Sequence, residues 1–172
     1  MVLGLGALPP ASAKPRQPVS AGDLPLIKAA MVYNICKFVE WPDERLTGDD
    51  FVVGIAGESE GAALASVAGK SLHGRILQVV PVRRAEDLAS CHVLYVGETA
   101  DADWLDLSEA AEAQSILTIG DFSGFAAAGG VVELIYQDDR LRFAINVGAA
   151  RSKQLTISSQ VLKIALTVFD GE

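Results

Sequence analysis

Residues 129–165 read GGVVELIYQDDRLRFAINVGAARSKQLTISSQVLKIA and decide the fold of the last third of the chain. Two runs rich in β-branched and apolar residues, Val131–Tyr136 and Leu141–Val147, flank a turn that carries Asp138 and Asp139. Apolar runs on either side of such a turn are typical of an antiparallel hairpin. The stretch is rich in residues that pack and contains no recognisable catalytic constellation, so it predicts a scaffold.

A final helix is predicted after the hairpin, over residues 157–169. Ser158 or Ser159 can cap its first turn, because a serine hydroxyl accepts a hydrogen bond from a free backbone N–H there. The apolar face of this helix would carry Val161, Leu162, Ala165 and Val168.

The middle of the chain alternates between short apolar runs and helical segments. Strands are predicted over residues 51–56, 75–82, 92–96 and 116–119, and helices over residues 60–68 and 101–113, the second with Trp104 and Leu105 facing inward. This alternation predicts a single compact α/β domain, with a mixed, mostly parallel sheet flanked by helices in a Rossmann-like layering. The C-terminal antiparallel hairpin would lie at one edge of that sheet.

The first helix is predicted over residues 24–40, and Trp41 and Pro42 would end it. Its apolar residues recur at helical spacing and extend around the helix, and few of its interior residues are strongly polar. Such a helix is expected to be covered on more than one side. If part of it stays exposed, a protein interface is the other interpretation.

Length and charge limit the possible function classes. The chain has 172 residues, half of them apolar, which is enough for one core, and residues 23–172 are assigned to one domain. The net charge of −8 argues against nucleic-acid binding, which needs a basic face. Residues 85–139 contain no Lys or Arg but twelve acidic residues. We interpret them mainly as a solvated acidic face rather than as a docking patch for a basic partner.

Residues 1–22 form a separate segment of the sequence. They combine a short apolar run with Ala11, Ser12 and Ala13, a series that resembles the cleavage site of a secretory signal peptide, although the charged n-region is missing. We interpret them as a signal-peptide remnant followed by a disordered, Pro-rich arm, with cleavage after Ala13. An unstructured cytosolic tail is the alternative. No later stretch is long and apolar enough to span a bilayer, so the mature protein is not expected to be membrane-embedded.

The two cysteines, Cys36 and Cys91, leave two interpretations open. They could form one disulfide if the fold brings their Cα atoms within about 7 Å. They could equally be two buried free thiols.

Two glycine-containing motifs suggest nucleotide binding but do not meet its requirements. Residues 68–71 spell AGKS, the end of a phosphate-binding loop, but Leu64 stands where the first glycine is needed, so Lys70 is interpreted as a surface residue of a turn. The glycines at 54, 57 and 61 lack the G-x-G pair of a dinucleotide site. No cofactor is therefore predicted.

Asp121 is the residue that most resembles a catalytic group, since it follows a strand at its carboxyl end. A helix N-cap for residues 122–128 is the favoured alternative. Neither His73 nor His92 lies in a motif that would make it a catalytic partner of Asp121. A nucleophile pair of Cys36 with His92 stays open. The sequence shows no spacing of residues typical of metal ligands. We predict no enzyme; the alternative is a ligand-binding or catalytic domain whose pocket joins Gly57 to Asp121.

Three segments resemble the YfiR family. The first, KAAMVYNICKFVEWP at residues 28–42, resembles the family's opening helix; the second comprises residues 90–98 and 116–130; the third contains RLRFAINVGAA and LTISSQVLKIA. The residues that carry the resemblance most clearly are Tyr33, Asn34, Lys37, Phe38, Trp41, Pro42, Arg142, Phe143, Asn146, Ser158 and Ser159.

This resemblance implies a dimeric periplasmic protein without catalytic activity. Such a protein would bind the periplasmic domain of an inner-membrane diguanylate cyclase and inhibit it, which lowers cyclic di-GMP and biofilm formation. Cys91 matches a family cysteine, whereas Cys36 is less typical. Two departures stand out: Ala144 replaces a glutamate that is common in the family, and the set of cysteines is small. They place a family-like redox switch in doubt.

Overall fold

The computed structural model describes Ser20, residues 22–57 and residues 61–170, without the side chains of residues 101 and 102. The predicted signal-peptide remnant lies almost entirely outside these residues. The helices in the described part are α1 (Leu24–Cys36), α2 (Gly61–Leu64), α3 (Trp104–Ala113), α4 (Val147–Ser152) and α5 (Ser159–Leu162). The strands are β1 (Val39–Glu40), β2 (Asp50–Ala56), β3 (Ser71–Leu72), β4 (Arg75–Pro81), β5 (Val93–Val96), β6 (Leu117–Gly120), β7 (Val132–Gln137), β8 (Arg140–Asn146), β9 (Thr156–Ile157) and β10 (Thr167–Phe169).

Eight strands form one mixed sheet in the order β10-β8-β7-β6-β5-β2-β4-β3. The five central strands, from β7 to β4, are parallel. Strand β8 pairs antiparallel with β7 through a two-residue turn in which Asp138 and Asp139 have φ angles of +51° and +56°. Two consecutive left-handed residues match the twist of a tight hairpin. The α/β class, the mostly parallel sheet and the hairpin are therefore as predicted.

The C-terminal end differs from the prediction. Ser158 does cap a helix, since its hydroxyl accepts from the N–H of Gln160, but that helix, α5, ends at Leu162. The Leu166 N–H then donates to the carbonyl of Phe143, and β10 pairs parallel with β8. Pairing with the sheet thus prevails over the helical periodicity of residues 157–169. As a result, β10 rather than the hairpin lies at the edge of the sheet.

The first helix is also shorter than predicted. It ends at Cys36, and Val39 and Glu40 instead pair antiparallel with β9 in a separate two-stranded sheet. The N–H of Ser158 donates to the carbonyl of Phe38 beside this ladder. The partner strand lies more than one hundred residues later in the chain. The periodicity of apolar residues within one helix could not reveal this pairing.

The core is divided by the sheet into two apolar clusters. One fills the space between the sheet and α1, and the other lies between the sheet and α3. Successive residues of β5 alternate between them, as strand geometry requires: Val93 and Tyr95 face α1, whereas Leu94 and Val96 face α3.

Two predictions about the α3 side were wrong in detail. Trp104 is buried and its indole N–H donates to the carbonyl of Ala128 at 3.1 Å, but Leu105 is 75% exposed and Leu107 faces inward in its place. Residues 122–128 form turns rather than a helix. Within these turns the backbone N–H groups of Gly124 and Ala126 donate to the carboxylate of Glu133 on β7. Glu133 thus takes the role that the sequence assigned to Asp121.

Candidate functional site: the outer surface of helix α1

The outer face of α1 carries an exposed stripe. Leu26, Ala30 and Asn34 follow one another on α1 at intervals of four residues, and Phe38 continues this spacing in the turn after the helix. All four are exposed, Leu26 to 53% and Phe38 to 38%. Residues at this spacing lie on one side of a helix. The opposite side, with Ala29, Val32, Ile35 and Cys36, is buried in the core. One side of the helix therefore packs against the core, and the other side presents apolar groups to solvent. Partial exposure of this kind is the condition under which the sequence suggested a protein interface.

A tyrosine with two lysines lies beside this stripe. The Tyr33 hydroxyl donates to the carbonyl of Ser71 at 3.0 Å, which fixes the ring against the turn before β4. The ammonium of Lys37 lies 4.2 Å from the centre of the ring, and that of Lys70 lies 5.1 Å from it. Both distances are within the range of cation–π attraction. Lys37 also donates to the side-chain carbonyl of Asn34 at 3.2 Å.

This surface is positively charged on an acidic protein. No Asp or Glu occurs between Leu24 and Val39. Within residues 22–57 and 61–170, neither Lys37 nor Lys70 forms an ion pair. We call the α1 surface the group Leu26, Ala30, Tyr33, Asn34, Lys37, Phe38 and Lys70.

Lys70 belongs to the α1 surface although it was assigned only to a surface turn from the sequence. The turn after residues 65–67, a short 3₁₀ segment, places it over Tyr33. No sequence signal connects positions 33 and 70, because the contact depends on how β3 and β4 attach to the sheet. Four of the six residues of the opening motif, Tyr33, Asn34, Lys37 and Phe38, do lie on this surface.

The other two motif residues have a packing role behind it. Trp41 is buried, contacts Phe51 edge-to-face at 5.1 Å between ring centres, and donates its indole N–H to the carbonyl of His92 at 3.1 Å. It also contacts the ring of His73 at 5.5 Å. Pro42 follows and leads into a short 3₁₀ segment at residues 43–45. The Trp-Pro pair thus anchors the chain after α1 to the amino ends of β2 and β5.

His92 is held by two hydrogen bonds that specify a neutral ring. Its Nδ1 accepts from the N–H of Val52 at 3.0 Å, and its Nε2 lies 2.9 Å from the carbonyl of Arg45, to which it can only donate. Burial lowers the pKa of His92; the bond to the Arg45 carbonyl opposes this shift, and the charges of Arg45 and Arg75 add to it. With Phe51 stacked at 4.8 Å, the imidazole has a structural role rather than that of a general base.

The C-terminal motif residues also pack and cap. The side chain of Asn146 accepts from the N–H of Ala149 at 2.9 Å, which caps α4, and donates to the carbonyl of Ala126 at 3.0 Å. Phe143 is buried in the core, Arg142 is half-buried and Ser159 is exposed. Ala144, the departure from the family pattern, is buried.

The two cysteines are free and buried. Cys36 belongs to the cluster on the α1 side and Cys91 to the cluster on the α3 side, so the sheet lies between them. The bridge that one interpretation required is therefore not formed, and the structure agrees with two free thiols. Burial raises the pKa of Cys36 to about 12 and that of Cys91 to about 11, which leaves neither as a thiolate nucleophile.

Gly57 and Asp121 do not share a site. Gly57 lines a cleft of about 1000 Å³ at the carboxyl ends of β2 and β4, and Asp121 is not part of its lining. Asp121 instead accepts from the Lys28 ammonium, with which it forms an ion pair, and from the Tyr95 hydroxyl at 2.8 Å. This carboxylate fastens the first turns of α1 to the sheet. The hypothesis of one pocket joining Gly57 and Asp121 is thus not supported.

The part of the chain that the structure describes contains neither a metal-binding cluster nor a membrane-spanning helix. No group of three or more His, Cys, Asp or Glu side chains there could hold a metal ion. No helix in that part of the chain is long and apolar enough to cross a membrane.

Two solved structures resemble this chain in fold. A conserved domain protein from Vibrio cholerae O1 biovar El Tor N16961 superposes with a TM-score of 0.58 at 16% identity, over 84% of this chain and 60% of that one. An ABC domain in complex with L-Trp from Streptococcus pneumoniae superposes with a TM-score of 0.50 at 12% identity, over 69% of this chain and 55% of that one. The chain therefore spans 55% to 60% of the length of these proteins, and the likeness extends to the fold alone.

Sequence comparison identifies the family. A search of curated proteins finds no match. The profile of the YfiR/HmsC-like family, whose members are regulators rather than enzymes, matches residues 26–166, from α1 to the start of β10. This range contains the α1 surface, the Trp41 anchor and both capping residues, Asn146 and Ser158. The chain belongs to the YfiR/HmsC-like family.

Proposed function

We propose that this protein is a periplasmic regulator that binds the periplasmic domain of an inner-membrane diguanylate cyclase and holds the enzyme inactive. Its presence would lower cyclic di-GMP and reduce biofilm formation. The observation that carries the proposal is the family match over residues 26–166. Regulation by binding also agrees with the chemistry of the motif residues, which cap, pack or face solvent.

The proposed location is the periplasm, reached through a signal peptide within residues 1–22. A chain that begins with a short apolar run and a small-residue series, and belongs to a family of periplasmic proteins, is consistent with export. The partner's sensor domain would face the same compartment, so no step of the regulation requires this protein to enter the membrane.

A homodimer is proposed as the functional form. Strand β10 is the outermost strand of the sheet, and among the described residues its outer edge has no neighbouring strand. Ile164, Leu166 and Val168 near this edge are 73%, 42% and 43% exposed. An open edge flanked by apolar side chains is a surface that a second chain can cover. Analytical ultracentrifugation tests this: we expect a dimer, and a monomer at high micromolar concentration would contradict it.

Deletion of the gene tests the inhibitory role. We expect cellular cyclic di-GMP and surface-attached biofilm to rise, because the partner cyclase would no longer be held inactive. Complementation with the full chain should reverse the rise, whereas a chain that lacks residues 1–13 and stays in the cytoplasm should not.

A second strain separates this role from indirect effects. In a background in which the cyclase carries an inactive catalytic domain, the same deletion should leave cyclic di-GMP unchanged. If deletion has no effect in the strain with the active cyclase, the inhibitory role is wrong.

A further inference from the structure

We infer that the α1 surface is the site where the partner docks, and that it takes an acidic segment of the partner protein, with a carboxylate bound at Lys37 and Lys70 and apolar side chains on the stripe from Leu26 to Phe38. This inference rests on the proposed function, since the partner is the periplasmic domain of the cyclase. It adds the surface and the chemistry that this surface selects.

The charge of the surface determines the charge of the segment it binds. Lys37 and Lys70 converge on one aromatic ring, at 4.2 and 5.1 Å from its centre, and neither ammonium is ion-paired within the described residues. Two uncompensated cations at one place attract carboxylates and repel basic side chains. A protein of net charge −8 repels an acidic partner over most of its surface, so the α1 surface determines where such a partner can approach.

The two lysines are held in place before binding. Tyr33 is fixed by its bond to the Ser71 carbonyl, and Lys37 is held by both the ring and Asn34. Binding therefore immobilises few additional side-chain rotamers, so the loss of conformational entropy on binding is small. A small entropy loss favours affinity and specificity. Freely moving surface lysines would not provide this.

The apolar stripe provides the rest of the contact. Leu26 in the first turn of α1 and Phe38 in the turn after it are large side chains that are 53% and 38% exposed. Ala30 between them lets a partner backbone approach closely. Aromatic and aliphatic side chains of this kind, ringed by polar groups, are typical of protein interfaces. The partner segment is thus amphipathic: apolar along its centre and acidic where it passes Tyr33.

An anionic membrane is the less suitable occupant. Binding to anionic lipid requires several basic residues, whereas this surface has only Lys37 and Lys70, without an ion pair to any residue that the structure describes, on a chain of net charge −8. Two lysines that are held over one aromatic ring also match a single carboxylate better than a diffuse layer of lipid headgroups.

The test uses the full mature chain and, as probes, the purified periplasmic domains of the membrane diguanylate cyclases of the same organism. Binding is measured by biolayer interferometry at low and high salt. The double variant Lys37→Glu with Lys70→Glu should bind at least about tenfold more weakly than wild type and lose most of the salt dependence. The matched control, Arg140→Glu with Lys163→Glu, changes the charge equally at two exposed positions that are not part of the α1 surface and should bind within about twofold of wild type.

A second pair tests the apolar stripe without altering charge. Phe38→Ser should weaken binding, whereas Leu105→Ser, on the exposed side of α3, should not. Circular dichroism and urea unfolding of every variant separate lost binding from lost fold: each variant should keep the native spectrum and remain folded in the binding buffer, although Phe38→Ser should lower the unfolding midpoint because only 38% of this side chain is exposed.

The possible results are distinguishable. If wild type binds no cyclase domain, the proposed function fails and the inference fails with it. If wild type binds but both double variants bind equally well, the function stands and this surface is wrong. If the Lys37/Lys70 variant instead loses binding to vesicles of phosphatidylglycerol and phosphatidylethanolamine, or loses self-association, while it still binds the cyclase domain, the occupant is a membrane or a second copy and the inference is overturned.

Discussion

The two faces of the sheet are covered by helices of opposite character. On one face, α1 has no acidic residue and an exposed apolar stripe, and Lys37 and Lys70 lie beside the ring of Tyr33. On the other face, α3 exposes Asp106, Glu109 and Glu112 and buries Trp104 and Leu107. Apart from Leu105, which is 75% exposed, the α3 face follows the ordinary division between apolar core and charged surface. The α1 face departs from it, and such departures in an otherwise regular domain indicate where function is located.

Each face depends on one tryptophan, and the largest expected effect comes from removing the one behind α1. Trp41→Ala would lose the contacts with Phe51 and His73 and the hydrogen bond to His92, and should lower the free energy of unfolding by about 3–5 kcal/mol. Urea unfolding measures this. Leu105→Ala, an exposed position on α3, is the control and should change stability by less than about 0.5 kcal/mol. Equal effects of the two substitutions would contradict the assigned packing.

The α3 face is packed more closely around Phe125, which gives the second prediction. A Cβ atom at Gly120 would lie 2.1 Å from Cγ of Phe125, so Gly120→Ala should lower the free energy of unfolding by about 1–3 kcal/mol through overpacking. In a Phe125→Ala background the same substitution should cost less, because alanine lacks the Cγ and Cδ atoms that the new methyl group meets. Gly61→Ala is the control, since nothing lies within 4 Å of its added Cβ.

The order of the elements along the middle of the chain could be predicted because apolar runs of four to seven residues alternate with helical segments there. The hairpin could be predicted because its turn and both its strands are contiguous in sequence. By contrast, the end of α1 at Cys36 and the conversion of residues 167–169 to a strand depend on pairing with residues far away in the chain. The Tyr33–Lys70 contact depends on the same long-range geometry, so only part of the α1 surface could be predicted from sequence.

The histidine behind the α1 face gives a pH-dependent prediction. Burial lowers the pKa of His92, so the unfolded chain takes up a proton near pH 6.5 while the folded ring stays neutral until a lower pH. Stability should therefore be fully present above about pH 6.5 and should decrease as the pH falls from there toward the folded-state pKa. Thermal unfolding between pH 7 and pH 5 measures the slope. In His92→Gln this part of the slope should disappear, and a slope equal to that of wild type would show that another group causes it.

The smallest expected effect concerns the cysteines, one on each side of the sheet. Because Cys36 and Cys91 are buried in separate clusters, a reductant should leave the unfolding midpoint of the protein unchanged. A thiol reagent should label neither residue at an appreciable rate in the native state and both in denaturant. Fewer than two reactive thiols in denaturant without reductant would show that a bridge had formed.

The pairing of β1 with β9 has a consequence for when the chain can complete its folding. Val39 pairs with Ile157, so the segment that follows the first helix obtains its partner only after the more than one hundred residues between them have been synthesised. Contacts between such distant positions slow folding, because a long loop must close before they are gained. A chain that threads through a secretion channel must stay unfolded during transit. For the export proposed above, dependence on this late pairing would help to keep the chain unfolded until residues 156–157 have crossed the membrane.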